Sequence, residues 1–419
     1  MIHAILSGDR CMIDIDKESA LIPHPKTRGA SMKPDAGNEP STRLRTSSRP
    51  SISGRDPVIC VNRSDRQTFY NDGCSPKRVF MRKFFLPGLT ATFAATAVLA
   101  AAAGFFSPAA HANNVIVLNS GEATLSLIDE NSRQVIGTVP TGKEPHHLMA
   151  TPDNSSLIVA NSVSNNLMLV DPKTGQVQRW VENIEDPYQI GFSPDRKWLV
   201  TTGLRLDRLD IYHYDGQKNQ MTLASRLPLA VMPSHMAFSN DSKTVFVTLQ
   251  ISGELAAIDL PTQTVKWKMK VGKVPAGLWM TPGEKYLLVG MTGEDYVAVV
   301  DWRNQKVVKT IHTGKGAHNF RSLADGKHVA VSNRVASTIS IIDEDTLTNV
   351  GDITGLMPGP DDMELSADKR YLWVTFRFAK HVGIIDLNTR KLIQTIAVGR
   401  SPHGIYFFNR APVTAPNGA

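Results

Sequence analysis

The chain has 419 residues, 42% of them hydrophobic and 20% charged, with a formal net charge of +7. That composition belongs to a soluble globular protein and excludes both wholesale disorder and a membrane protein of many spans. Three cysteines exclude a disulfide framework or a Cys-rich zinc module, so the fold must rest on packing.

In chain order, residues 1–80 show no helical or alternating apolar period, and 41–55 is mostly Ser, Arg and Pro with almost nothing to bury. This stretch reads as an untranslated or disordered extension. At Met81 the character changes: Arg82 and Lys83 form a basic start, 89–106 is apolar, and Ala110-His111-Ala112 offers small residues where a signal peptidase reads. The apolar run reaches the lower limit for spanning a bilayer, but its Ala content and A-x-A site point to a cleaved Sec signal peptide over 81–112 rather than a retained anchor. The expectation is translation from Met81, export to the periplasm and a mature chain from Asn113 without a stable membrane anchor. Residues 1–112 hold 15 of the 46 Lys+Arg and 9 of the 39 Asp+Glu, leaving 31 against 30 in the remainder. The basic surplus therefore sits in the discarded part, and nucleic acid is disfavoured as a partner. Cys11, Cys60 and Cys74 fall there too.

From Asn113 onward the chain repeats. A Pro-x-x motif followed by a Ser/Thr-Pro-Asp-like turn recurs at Pro145, Pro187, Pro233, Pro275, Gly316 in the same role, Pro360 and Pro402, at spacings of 42, 46, 42, 41, 44 and 42 residues. A second marker keeps step with it, an alternating apolar run ending in Asp at Asp129, Asp171, Asp215, Asp259, Asp301, Asp343 and Asp386. Each period reads as four short strands; in the second unit these are His147–Ala150, Leu157–Asn161, Leu167–Asp171 and Val177–Val181. Four antiparallel strands in such a period make one propeller blade. The first unit lacks its first strand and the C-terminus supplies an extra one, Gly404–Phe408. The predicted fold is thus all-β, a seven-bladed β-propeller of four-stranded blades over 113–408. Three N-terminal strands plus one C-terminal strand close it, and a flexible tail follows over 409–419.

Segments such as VIVLNSGEATLSLIDENSRQVIGTVPTG, LIVANSVSNNLMLVDPKTGQVQ and VGIIDLNTRKLIQTIAVGRSPHGI resemble the YVTN-type repeat of YncE-like exported bacterial propellers. The resemblance implies the fold. For function it implies a range: binding proteins, metallochaperones, companions of quinone-dependent alcohol dehydrogenases, lactonases and the haem-binding propellers of nitrite reductases.

No G-x-S-x-G, Walker A, H-E-x-x-H or C-x-x-C motif occurs in the expected mature chain. The Gly-Lys pairs at Gly142-Lys143 and Gly314-Lys315 fall at equivalent turns and read as repeat punctuation. Trp180, Trp198, Trp267, Trp279, Trp302 and Trp373 lie in or beside strands and read as core. Histidine is the informative residue. Two places after the Pro position stand His147, Gln189, His235, Gly277, His318, Asp362 and Gly404; one place after it stand His146, Tyr188, Ser234, Ala276, Ala317, Asp361 and His403. The first strand of a blade is innermost, so these positions surround one mouth of the central channel. His147, His235, His318 and Asp362 form a candidate metal set, with zinc first and copper second. His146, Gln189, Asp361 and His403 are secondary candidates.

Arg205, Arg334, Arg377 and Lys380 lie in loops opening on the same face and could hold an anionic cofactor, a haem carboxylate or a quinone acid. Three readings follow. The leading one is a monomeric, non-enzymatic metal-binding protein acting as a metallochaperone or transporter accessory; the others are a cofactor-bearing or lactonase-like propeller and a protein-interaction scaffold. No catalytic residues are assigned. N-terminal mass spectrometry of the exported protein is expected to begin at Asn113; a peptide from 1–80 would overturn the start at Met81.

Overall fold

The computed structural model describes residues 114–413; the expected extension 1–80, the leader 81–112 and the end of the expected tail lie outside the described residues. Within 114–413, twenty-eight strands form seven antiparallel four-stranded sheets. The first sheet joins β1 (Asn114–Asn119), β2 (Thr124–Asp129) and β3 (Gln134–Pro140) to the last strand of the chain, β28 (Pro402–Phe407). Val115 pairs with Phe407 and Val117 with Ile405, so the ring closes as expected, with the closing strand starting two residues earlier than the sequence suggests.

The pattern of each blade follows from what packs on it. The second and third strands lie between neighbouring blades and are buried on both faces, which requires continuous apolar runs; Val115, Ile116, Val117 and Leu118 are all fully inaccessible. The outermost strands have solvent at their free edge and alternate instead, as in Thr264–Lys270, where Lys266, Lys268 and Lys270 are exposed and blunt edge-to-edge pairing. The marker Asp of each repeat has a local task. Its carboxylate accepts the backbone N–H three residues on, at Asp129 (2.7 Å from Ser132 N), Asp171 (2.8 Å from Thr174 N), Asp343 (2.8 Å from Thr346 N) and their equivalents. Those bonds, chiefly the one from Thr346, hold the Asp343 carboxyl down at about 2.

The innermost strands are β4 (Pro145–Ala150), β8 (Pro187–Phe192), β12 (Pro233–Phe238), β16 (Pro275–Met280), β20 (Ala317–Ser322), β24 (Pro360–Leu365) and β28. Each touches the next, and β28 touches β4. All seven share one irregularity: just after the Pro position, which in the sixth blade is Ala317 and not the expected Gly316, the ladder shifts, leaving more residues on the innermost strand than on its partner. Such a bulge re-aims the side chains it contains.

Two expectations need correction. Trp180 is 41% exposed on an outermost strand, whereas Trp373 is core at 2%. The first part of the tail expected from 409 is instead packed: Ala411 is buried, its N–H donates to Leu365 O, and its carbonyl accepts from Arg321. The reason is the buried Arg321–Glu364 ion pair (2.6 Å) at the far end of the innermost strands, which needs a further acceptor for the guanidinium.

Glu344, which follows the strand Thr338–Asp343, is buried and accepts a 2.7 Å hydrogen bond from Trp279 Nε1 of the neighbouring blade. Burial, reinforced by Asp325 and Asp345, pushes its carboxyl up to about 7 against that bond. A carboxyl raised on folding contributes stability below its unfolded pKa and loses it as pH rises through the folded one. Glu344→Gln is therefore expected to match the wild type near pH 4.5 and to exceed it by on the order of 2 kcal/mol at pH 8 in urea unfolding. Identical curves at both pH values would refute the assignment.

Candidate functional site

The bulged positions carry the chemistry. Around one end of the axis they place His403 on β28, His146 on β4, Tyr188 on β8, His235 on β12, His318 on β20 and Asp361 on β24. Gly277 on β16 leaves room for its neighbour: a Cβ there would lie 2.1 Å from His318 O. His146, His235, His318, Asp361 and His403 are all at most 4% accessible.

The rings touch in sequence. His403 packs against His146 (centroids 4.0 Å apart), His146 stacks on Tyr188 (3.8 Å), and His235 meets His318 edge to face (4.9 Å). His146 Nδ1 lies 3.0 Å from Tyr188 O, and since a carbonyl only accepts, that nitrogen carries the proton. His235 Nδ1 meets Ser234 Oγ at 3.1 Å, and His318 Nδ1 meets Thr292 Oγ1 at 3.1 Å.

Asp361 is the electrostatic centre. Arg334 donates to it from Nε (2.9 Å to Oδ1) and from NH2 (2.6 Å to each oxygen), and Arg377 lies 3.6 Å from Oδ2. His318 Nε2 is 3.5 Å from Oδ1 and His403 Nε2 is 3.5 Å from Oδ2. Neither ring nitrogen is directed at the carboxylate as a hydrogen bond. The donor atoms of His318, Asp361 and His403 all lie within 4.8 Å of one another. Behind them, Asp362 accepts from Asn319 Nδ2 and places Oδ2 3.3 Å from His403 Nδ1.

Burial, then neighbouring positive groups, keep four of the imidazoles, His146, His147, His235 and His318, neutral. His235 is pushed down to about 3 by burial with Arg334 and His403 adding, and His147 to about 4 by burial, partly offset by Asp362. His146 and His318 are driven well below the usual histidine range for the same first reason. Burial alone would raise Asp362, but His403, His147 and Arg334 outweigh it and hold this carboxyl below its ordinary value. Burial also pushes the Tyr188 phenol up to about 12.

The residues expected from the sequence are thus distributed unevenly. Of the set His147, His235, His318 and Asp362, only His318 belongs to the tight donor group; His235 reaches it through ring contact, and His147 keeps a buried Nδ1 without a hydrogen-bond partner. Asp361 and His403, read as secondary, complete the group. Gln189 accepts from Met236 N at 2.5 Å and ties β8 to β12. Arg334 and Arg377 sit inside, on Asp361. Arg205 lies on another part of the rim, 2.7 Å from Asp186 and 3.6 Å from Glu144, and donates to Ser162 O. Lys380 is exposed. Tyr188, Asn319 and Thr292 were not singled out. Tyr188 could have been, since it occupies the same bulged position as His146 and His403.

The profile of a family described as YNCE-like beta-propeller matches residues 84–413. No curated protein matches the chain. A functionally unknown protein from Desulfotomaculum acetoxidans is similar in structure, with 15% identity, 70% of this chain and 98% of that chain covered, and a TM-score of 0.61. Dihydro-heme d1 dehydrogenase in complex with DHE has 16% identity, coverage of 71% and 75%, and a TM-score of 0.54. Kuenenia stuttgartiensis hydrazine synthase has 18% identity, coverage of 64% and 96%, and a TM-score of 0.52. At these identities the likeness is one of fold.

Asp361 is fully buried between two guanidiniums that are 14% and 15% exposed, so its removal strands positive charge. Asp361→Ala is expected to destabilise the protein by about 3 kcal/mol, against about 1 kcal/mol or less for Asp362→Asn, in denaturant unfolding. Equal effects would show that Asp361 is not the charge centre.

Proposed function

The chain belongs to the YNCE-like β-propeller family, and from that premise we propose that it is a non-enzymatic binding protein that holds a transition-metal ion at the axis, zinc first and copper second. The carrying observation is the buried group of His318, Asp361 and His403, whose donor atoms lie within 4.8 Å of one another. Each Nε2 lies 3.5 Å from its own Asp361 oxygen, Oδ1 for His318 and Oδ2 for His403, and either separation is close to the roughly 3.3 Å edge of a tetrahedron with metal–ligand bonds of about 2.0–2.1 Å. Neutral imidazole is the ligating form, and two nitrogens with one carboxylate suit zinc or copper better than magnesium or calcium. The signal-peptide layout of 81–112 supports a periplasmic role as a metallochaperone or transporter accessory.

A second reading rests on Arg334 and Arg377. Two guanidiniums at the mouth could hold the carboxylate of a haem or quinone, and the fold is shared with a dehydrogenase solved with DHE. That reading requires a coloured complex and a ligand acid that competes with Asp361.

The test is calorimetric titration of the chelator-stripped full-length protein with Zn²⁺ and Cu²⁺. One ion per chain is expected, with His318→Ala and His403→Ala each weakening binding about tenfold or more while circular dichroism stays unchanged. Millimolar or weaker binding by the wild type, or variants that bind as it does, would sink the metal reading.

A further inference from the structure

Arg334 is a cation lodged in a site proposed for a cation. Its NH2 lies 2.6 Å from each Asp361 oxygen and 3.5 Å from His403 Nε2, which is itself 3.5 Å from Asp361 Oδ2. An ion bonded to that oxygen and that ring nitrogen at about 2.1 Å would stand between about 1.5 and 3.7 Å from the guanidinium nitrogen, however the two triangles are hinged on their common edge. At the near limit the atoms overlap. At the far limit a divalent charge faces a guanidinium at contact distance, in surroundings that screen poorly.

We propose that Arg334 is a displaceable internal cation, neutralising Asp361 until a metal ion replaces it and then turning out to the channel mouth. This rests on the metal reading of the same site. The sequence places Arg334 suitably for such a movement: it follows Asn333 at the end of a strand, and its neighbour in the turn, Val335, is 53% exposed. The side chain is 14% exposed, so it already reaches solvent. Arg377 enters from a different blade, 3.6 Å from Asp361 Oδ2, and keeps a cation beside that carboxylate when Arg334 turns away. An arginine suits the task because its fork covers both carboxylate oxygens while no ion is bound. The arrangement also discriminates: only an ion with strong affinity for imidazole offsets the loss of the buried pair, which disfavours magnesium and calcium. Occupancy would then change the charge presented at the mouth, a signal that a docking partner can read.

The displacement predicts a gain where a structural role predicts a loss. Arg334→Gln is expected to bind Zn²⁺ roughly tenfold or more tightly than the wild type, because the competent arrangement no longer has to be populated against the ion pair. Arg334→Lys, which keeps the charge but not the fork, is expected to gain less. A second measurement needs no variant. Phenylglyoxal labelling of the wild type, read by mass spectrometry, is expected to modify Arg334 faster when Zn²⁺ is present, while Arg400, 61% exposed, labels at an unchanged rate. If the wild type binds zinc through His318 and His403 but Arg334→Gln binds it equally or more weakly, the displacement is overturned and the metal reading stands. Unchanged Arg334 labelling in a zinc-binding wild type overturns it in the same way. Absence of zinc binding by the wild type overturns both.

Discussion

The structure depends on one pairing between strands almost three hundred residues apart, β28 against β1. Without it the first sheet would have three strands and the ring two open edges, each a row of unsatisfied backbone groups. The same pairing carries His403 into the site, between Asp361 of the preceding blade and His146 of the following one. Closure of the fold and assembly of the donor group are therefore a single event. A chain that failed to close would lose the residue touching both aspartates.

Repetition supplies the scaffold, and the departure from it supplies the chemistry. All seven innermost strands bulge at the same place, so seven blades could aim side chains at the axis. Blade five leaves Ala276 and Gly277 there, where the strand approaches its neighbour too closely for a larger side chain. Blades six and seven supply His318, Asp361 and Asp362, and the loops of those same two blades supply Arg334 and Arg377. Charge is thus concentrated on one side of the axis, while aromatic rings fill the other.

That asymmetry makes the site coherent. Two guanidiniums and two carboxylates balance in a small volume, and His235 and His318 beside them remain neutral because any added proton would face both desolvation and Arg334. Asp361 is what prevents the guanidiniums from being isolated buried charges. Its commitment to Arg334 also sets the energetic threshold that any competing cation must pass.

Much of this was legible in the sequence. The blade count, the strand order within a blade and the closing strand follow from two markers in phase, because alternation, turn chemistry and repeat length are local properties. The marker Asp residues also behave locally, each accepting a backbone N–H three residues on. Even the list of axial residues was readable by aligning the repeats. What the sequence could not decide was which of two adjacent residues in each strand converge. A regular strand sends neighbours to opposite faces, whereas the bulge admits both to the axis, so Asp361 and His403 outrank Asp362 and His147 only once the ladder shift is known. Nor could it place Arg334 and Arg377 on Asp361 rather than out on the rim. The Arg334 pairing joins residues 27 apart across a blade boundary while Arg377 comes from the same blade as Asp361, and both form because the tertiary structure buries the carboxylate between those two guanidiniums.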